Sequence, residues 1–148
     1  SVPVLKFMLK KQFIGTWQLL SCELRDDDGQ VTYPLSKDAV GYIIYTETGY
    51  MSVNIMTTSS PIKFANKNNN FIGDGTTEEK IAAAGTYFSY CGQYEIQDNK
   101  VIHHVKASLF PNEVGTDLER LFEFGDNKLL LIAPFLGKTA YLTWERVA

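Results

Sequence analysis

The sequence has little cysteine, no strong excess of charge and no long apolar run, and each of these scarcities excludes a class of protein. Its two cysteines, Cys22 and Cys91, form no C-x-x-C pair. Two reduced thiols are therefore favoured over a disulfide framework, although a bond between the two is left open. The formal net charge of -3 provides no basic surface for nucleic acid or an anionic membrane. No apolar run approaches the roughly 18 to 20 residues of a membrane span.

The start of the chain also lacks the pattern of an export signal. The segment "SVPVLKFMLKKQF" has lysines inside its apolar stretch rather than before it, unlike a signal peptide. We therefore expect a cytoplasmic protein, while a first residue that is Ser1 rather than Met leaves a trimmed start open. The length of 148 residues suits one hydrophobic core, so residues 1–148 are expected to form a single domain.

What the sequence does contain is a succession of short β-type runs separated by turn residues. The runs begin with "TWQLLSCELR" and end with "TAYLTWERV", and "DDDGQ", "ETG", "QDNK" and "GDN" lie between them. About eight to ten antiparallel strands in hairpin succession are predicted, with no repeat of fixed period. Closing them into an up-and-down β-barrel would remove exposed edges. The predicted fold is therefore an all-β antiparallel barrel.

Two helices and one long loop interrupt this pattern. Residues 3–13 predict a short N-terminal helix, because Val4, Phe7, Met8 and Lys11 form a stripe with the helical period. Residues 57–76 are rich in Ser, Thr, Asn and Lys and predict a solvated loop. Behind the loop, Thr76 or Thr77 caps a second helix that ends near residue 85.

The order of several motifs resembles a known superfamily. "GTWQLLSCEL", "GYIIYTETGYMSV", "AAAGTYFSYCGQYEI", "VIHHVKASLFPNEVGTDLERLFEF" and "LTWERV" follow one another from Gly15 to Val147. This order resembles the calycins, which include lipocalins and fatty-acid-binding proteins, and most closely the lipocalin-like domain family of small bacterial and fungal proteins. The resemblance implies a barrel with a cavity and no particular reaction. It also implies that Trp17 lies at the closed end with the cation of Arg146 packed across its indole ring.

Both histidines of the chain are adjacent, in "VIHHV". Successive side chains of a strand point to opposite faces, so His103 and His104 do not share a site and no metal is expected. Lys106 marks the face of His104 as the wetter one, which predicts that His103 points into the barrel. Three roles for His103 are left open: a hydrogen-bonded core residue, a residue that orients a ligand, or a general acid or base.

Arg120 is the most informative charged residue. In "DLERLFEF" it shares a face with Leu118, Phe122 and Phe124 and lies opposite the two glutamates. An inward arginine needs partners, because an unpaired buried charge is costly. Arg120 is therefore either a structural clamp or an anchor for a carboxylate or another polar head group.

Aromatic residues are predicted to give the pocket its character. Phenols that face inward would provide apolar walls with hydroxyl tips, suited to a planar, partly polar ligand, although ordinary core packing is the alternative. The candidates for this wall are Tyr42, Tyr50, Tyr90, Tyr94 and Phe122. In the loop of residues 109–115, Asn112 is either a ligand contact or part of a solvated turn.

Three functional hypotheses follow. The first is a binding protein for one small hydrophobic or aromatic ligand, including an acidic one, without a cofactor. The second is a cofactor-independent isomerase, cyclase or lyase, and the third is a partner-binding protein whose barrel is filled; a homodimer is left open. An enzyme should have a titratable group with a shifted pKa in a solvent-connected cavity, whereas a binder needs mainly a roomy apolar pocket.

Overall fold

The computed structural model of the protein describes residues 2–58, 63–68 and 70–148. Within these ranges the chain forms two α-helices, two short 3-10 turns and nine strands. The elements are α1 (Val2–Phe13), β1 (Gly15–Arg25), β2 (Val31–Thr32), β3 (Val40–Tyr45), β4 (Tyr50–Met56), a 3-10 turn (Ile72–Asp74), α2 (Thr77–Gly85), β5 (Tyr87–Gln97), β6 (Lys100–Ser108), a 3-10 turn (Pro111–Glu113), β7 (Asp117–Gly125), β8 (Lys128–Phe135) and β9 (Lys138–Arg146).

The strands form a closed antiparallel barrel. Each strand from β3 to β9 pairs with the next one along the chain, and β1 pairs with both β3 and β9 to close an eight-stranded barrel. The short β2 adds to the far end of β1, where Leu24 pairs with Thr32. This architecture confirms the up-and-down barrel and the two helices predicted from the sequence. No helix in the described ranges is long and apolar enough to cross a bilayer.

The second helix begins at the capping signal that the sequence contains. The backbone N–H of Glu79 donates to the Thr76 hydroxyl (3.2 Å), and the Thr76 N–H donates to the Glu79 carboxylate (2.8 Å). The helix ends at Gly85. Of the predicted loop of residues 57–76, positions 59–62 and 69 lie outside the described residues, and Ile72–Asp74 forms a 3-10 turn.

The first helix packs on the barrel through a different face from its apolar stripe. Val4, Phe7 and Met8 are each more than half exposed. Leu9 and Phe13 make the contact with the core instead, and Phe13 is completely buried. The Phe13 ring therefore forms the floor of the barrel, and the rest of the helix lies outside it.

Aromatic and basic side chains close the barrel around that floor. The Phe13 ring makes edge contacts with Tyr45, Phe122 and Phe124 at centroid distances of 5.1, 4.8 and 4.9 Å. The indole N–H of Trp17 donates to the Phe13 carbonyl (2.9 Å). The Arg146 guanidinium lies 4.3 Å from the centre of the Trp17 ring, which is the contact that the resemblance implied.

Arg146 also fixes the helix to the barrel. Its guanidinium donates to the carbonyl of Ile14 (2.6 Å) and to that of Gln12. Gln12 lies in the last turn of α1, whose carbonyls the helix leaves without partners, and Ile14 directly follows the helix. The closed end is thus a structural unit of α1, β1 and β9.

A bulge in β6 changes which side chains face inward beyond it. The pairing with β5 skips Lys106, so that Ala107 is opposite Cys91 while Val105 is opposite Gly92. Strict strand alternation would place Ser108 on the outer face with His104, but the bulge prevents this. Ser108 is opposite the inward-facing Tyr90, because one extra residue reverses the alternation.

Candidate functional site

The half of the barrel away from the Phe13 floor is hollow. A cavity of about 260 Å³ lies there. Its walls are mainly apolar and come from strands on all sides of the barrel, including Ile43, Val53, Ile55, Leu131 and Leu142. Aromatic side chains therefore fill the closed end of the barrel, and the other half has room for a small ligand.

A buried histidine between two tyrosines forms the polar part of the wall. His103 is 1% exposed. Its Nε2 is 2.7 Å from the Tyr45 hydroxyl, and its Nδ1 is 2.6 Å from the Tyr90 hydroxyl. A neutral imidazole has one donor and one acceptor nitrogen, so one phenol donates to the ring and the other accepts from it. Both ring nitrogens are thereby satisfied inside the barrel.

None of these three groups titrates near neutral pH. Burial, helped by the Arg120 charge, lowers the pKa of His103 to about 3. Burial raises the pKa of Tyr90 to about 12 against the opposing effect of Arg120, and raises that of Tyr45 well above its ordinary value. The low dielectric of the interior disfavours every charged form, so the trio stays neutral.

Arg120 brings a positive charge to the same cavity. It lies on the face of β7 with Leu118 and is partly buried. One guanidinium nitrogen donates to the carbonyl of Glu119 (3.2 Å). Among the described residues no carboxylate lies within salt-bridge distance of it. The cation thus has donors free for another acceptor.

The structure brings only some of the predicted ligand residues together. Arg120, His103 and Tyr90 line one cavity. Tyr94 is buried in the core outside this wall, and its hydroxyl donates to the Thr46 carbonyl (2.7 Å). Phe122 packs against the Phe13 ring in the floor.

Tyr42 and Tyr50 lie on the outer face of the barrel, so their predicted inward direction is wrong. They are 42% and 52% exposed. In β3 the buried positions include Ile43 and Tyr45. The error arose because β3 carries isoleucine on both faces, so that alternation alone does not identify the inner one.

Asn112 also points away from the cavity. It is exposed in the turn Pro111–Glu113, and the neighbouring Glu113 lines the cavity instead. The Glu113 carboxylate accepts from the Ser108 hydroxyl (3.2 Å). The β6 bulge makes this contact possible, and strand alternation does not predict it.

Trp144 and Cys22 also line the cavity, although the sequence did not predict either residue in its wall. Trp144 is completely buried, and its indole N–H has no hydrogen-bond partner among the described residues. Cys22 is a free thiol whose pKa burial raises to about 11, so it stays protonated and unreactive. Both residues alternate with outward positions in their strands, but alternation does not reveal which half of the barrel is hollow.

His104 has a structural role outside the barrel. Its Nδ1 is 2.7 Å from the Asp117 carboxylate and its Nε2 is 3.0 Å from that of Glu95. These contacts raise the pKa of His104 and join β5, β6 and β7. Within the described ranges no group of three or more His, Cys, Asp or Glu side chains is arranged to hold a metal ion.

The eight strands, the aromatic floor and the internal cavity define a small up-and-down β-barrel protein. The chain belongs to the lipocalin-like domain family, whose sequence model matches residues 14–147. This match confirms the resemblance carried by the sequence motifs.

Individual proteins are similar to the chain at low identity. The 4'-hydroxy-3'-methoxypropiophenone carrier protein ppsC of Aspergillus oryzae (strain ATCC 42149 / RIB 40) is 29% identical over 111 residues, which are 66% of this chain and 96% of that protein. A Schistosoma mansoni fatty acid binding protein in complex with arachidonic acid is 13% identical, with a TM-score of 0.43 and coverage of 94% of this chain and 98% of that one. The REP1-NXSQ fatty acid transporter is 18% identical, with a TM-score of 0.43 and coverage of 93% and 98%.

Proposed function

We propose that the protein is a carrier that encloses one small aromatic molecule in the barrel cavity. The observation that carries this proposal is the cavity itself, with its apolar walls and one polar side formed by Tyr90, His103 and Arg120. Ligand sites combine these two features, because apolar walls provide affinity and a few polar groups fix orientation.

The size of the cavity limits the ligand. Its volume of about 260 Å³ lies just below the roughly 300 to 1,000 Å³ of drug-sized sites. A single substituted benzene ring is therefore a better match than a long acyl chain. The Aspergillus oryzae relative is named as the carrier of an aryl ketone with hydroxyl and methoxy groups, and we propose a ligand of this class here.

The ionisation of the site supports a carrier over a cofactor-independent enzyme. A general acid or base works best with a pKa near the operating pH. The pKa values of His103 and Tyr90, about 3 and about 12, are both far from neutrality. The cavity does contain groups with shifted pKa values, as an enzyme would require. These shifts are away from neutrality, so both groups stay uncharged and neither is suited to proton transfer at neutral pH.

A titration with 4'-hydroxy-3'-methoxypropiophenone tests the carrier function. Because Trp144 lines the cavity, its fluorescence should change on binding, and calorimetry should give one ligand per chain. The variant Ala140→Leu, which fills the cavity, should lose binding, whereas Ala107→Leu on the outer face should keep it. Absence of binding, or conversion of the ligand to a product, would contradict the proposal.

Arg120 is proposed to anchor an acceptor group of the ligand. The variant Arg120→Leu should weaken binding of 4-hydroxy-3-methoxybenzoate by roughly 10- to 100-fold, because a charge-assisted hydrogen bond contributes about 1.5 to 3 kcal/mol. Binding of the neutral ketone should weaken less than that of the acid, because its carbonyl oxygen accepts a hydrogen bond but carries no formal charge. Glu119→Leu, the adjacent position on the outer face, is the matched control for both titrations. Equal losses for the acid and the ketone would show that Arg120 only supports the fold.

Two expectations from the sequence accompany this proposal. A cytoplasmic location agrees with the free thiols of Cys22 and Cys91. A homodimer stays a prediction, and light scattering of the purified protein would measure the oligomeric state.

A further inference from the structure

The barrel wall has a split between β7 and β8. Their pairing runs from Gly125 opposite Lys128 to Leu121 opposite Ile132 and then stops. Both strands continue beyond this point: within the described part of the chain, residues 117–120 pair only with β6, and residues 133–135 pair only with β9. We call this region of residues 117–120 and 133–135 the β7–β8 split.

Residues of the chain itself maintain the split. If the register continued, Pro134 would lie opposite Glu119, but proline has no N–H to donate to a ladder. The Glu119 carbonyl instead accepts a hydrogen bond from the Arg120 guanidinium (3.2 Å). The side chain of Arg120 thus satisfies a backbone group that lies beyond the end of the β7–β8 ladder.

The split lies between two open spaces. A groove of about 690 Å³ on the outside is lined by Lys100, Glu119 and Thr139, among others. Leu118, Arg120, Ala133 and Pro134 line both this groove and the internal cavity. Side chains, rather than paired backbone, therefore separate the cavity from solvent at this position.

The connection before β3 covers part of the open end of the barrel. Leu35 and Ala39, in the connection before β3, pack against the core there. The Thr58 hydroxyl holds the same connection by donating to the Asp38 carbonyl (2.7 Å). Passage through the end requires these contacts to break, whereas passage through the split requires no β7–β8 backbone hydrogen bond to break.

We infer that the ligand enters and leaves the cavity through the β7–β8 split, past the side chain of Arg120. This inference rests on the proposed carrier function. The Arg120 guanidinium, which has no carboxylate partner among the described residues, also attracts a ligand with an acidic or carbonyl group toward the opening.

Cross-linking across the split tests the route. In a Cys91→Ser background, the pair Glu119→Cys and Pro134→Cys places two outward thiols across the split for a short bis-maleimide. Cys22 is buried with a raised pKa and should not react. The matched control is Glu123→Cys with Leu130→Cys, a pair that is already opposite in the ladder. Stopped-flow fluorescence with 4'-hydroxy-3'-methoxypropiophenone then gives the association and dissociation rate constants.

Relative to the same double-cysteine variant before cross-linking, the cross-linked protein should show both rate constants slowed by at least about tenfold, while Kd differs by less than about twofold between the two forms, because a blocked passage alters the barrier and not the bound state. The control pair should exchange ligand at the wild-type rates. Thr139→Phe adds bulk to the outer groove without a cross-link and should slow both rates in the same way. Unchanged rates in both the cross-linked split and Thr139→Phe would overturn the inference and indicate the barrel end as the route. If the wild-type protein does not bind the ketone at equilibrium, the carrier function itself fails, and this inference fails with it.

Discussion

Replacing Phe13 with alanine should lower the free energy of unfolding by about 3 to 5 kcal/mol, the range for removing a buried phenylalanine. Phe13 is completely buried, and its ring contacts three other aromatic rings. Its removal leaves a void in the barrel floor and detaches the main contact of α1 with the core. Urea denaturation followed by circular dichroism measures the loss.

The same helix provides the control. Phe7→Ala makes the same chemical change at a side chain that is 59% exposed. It should change the free energy of unfolding by no more than about 0.5 kcal/mol, as for most surface substitutions. Equal effects at the two positions would contradict the assignment of Phe13 to the floor.

Replacing His103 with glutamine should remove much of the pH dependence that the free energy of unfolding shows below about pH 6.5. In the folded protein the pKa of His103 is about 3, against an ordinary value of 6.5. The unfolded chain therefore takes up a proton as the pH falls below about 6.5, and the folded chain does not. The free energy of unfolding of the wild-type protein should fall by up to about 1.4 kcal/mol per pH unit from this group, and by about 4 to 5 kcal/mol by pH 3.

Glutamine stays neutral across this range, so the variant should follow a flatter curve. At pH 7 it should be less stable than the wild-type protein by about 1 to 3 kcal/mol, because the bonds to Tyr45 and Tyr90 are imperfectly replaced. As the pH falls from 6.5 toward 3 the difference should shrink and then reverse, so that at pH 3 the variant should be more stable than the wild-type protein by about 1 to 4 kcal/mol. Urea titrations at several pH values measure the free energy of unfolding of both proteins. The carboxylates are the same in both proteins, so their titration contributes equally to the two curves. Parallel curves would show that His103 is protonated in the folded state.

Replacement of His104 is a control, because this histidine should affect the pH dependence of the free energy of unfolding in the opposite direction. Its two carboxylate partners raise its pKa, so its stabilising contribution is present below pH 6.5 and is lost as the pH rises through the raised value. His104→Gln should therefore lose stability mainly on the acidic side. The neighbouring histidines thus influence the pH profile in opposite directions because they lie on opposite faces of β6.

Local patterns in the chain were sufficient to predict the order and type of its elements. Turn residues between short β-type runs predicted the hairpins, and Thr76 with its following glutamates predicted the start of α2. The "GTW" and "WER" segments resembled the calycin floor, where Trp17 and Arg146 meet. These features were predictable because each depends on neighbouring residues or on an ordered set of motifs.

The residues that line the candidate site were less predictable from the sequence. Strand alternation gave the correct side for His103 and Arg120, since charged or apolar neighbours marked the faces. It does not decide the side of Tyr42, where both faces of β3 are apolar, or that of Ser108, which follows a bulge. Alternation identifies faces, but it does not count skipped residues or distinguish two apolar faces.

The sequence by itself therefore determined a closed antiparallel barrel, its two helices and the inward direction of His103 and Arg120, because periodicity, capping and turn chemistry act over a few residues. Only the tertiary structure decided that Phe13 fills one half of the barrel and leaves the other hollow, that Tyr45 and Tyr90 hold His103, and that β7 and β8 separate beside Arg120. Each of these features depends on the relative positions of side chains far apart in the chain, which the packing of all the strands determines together.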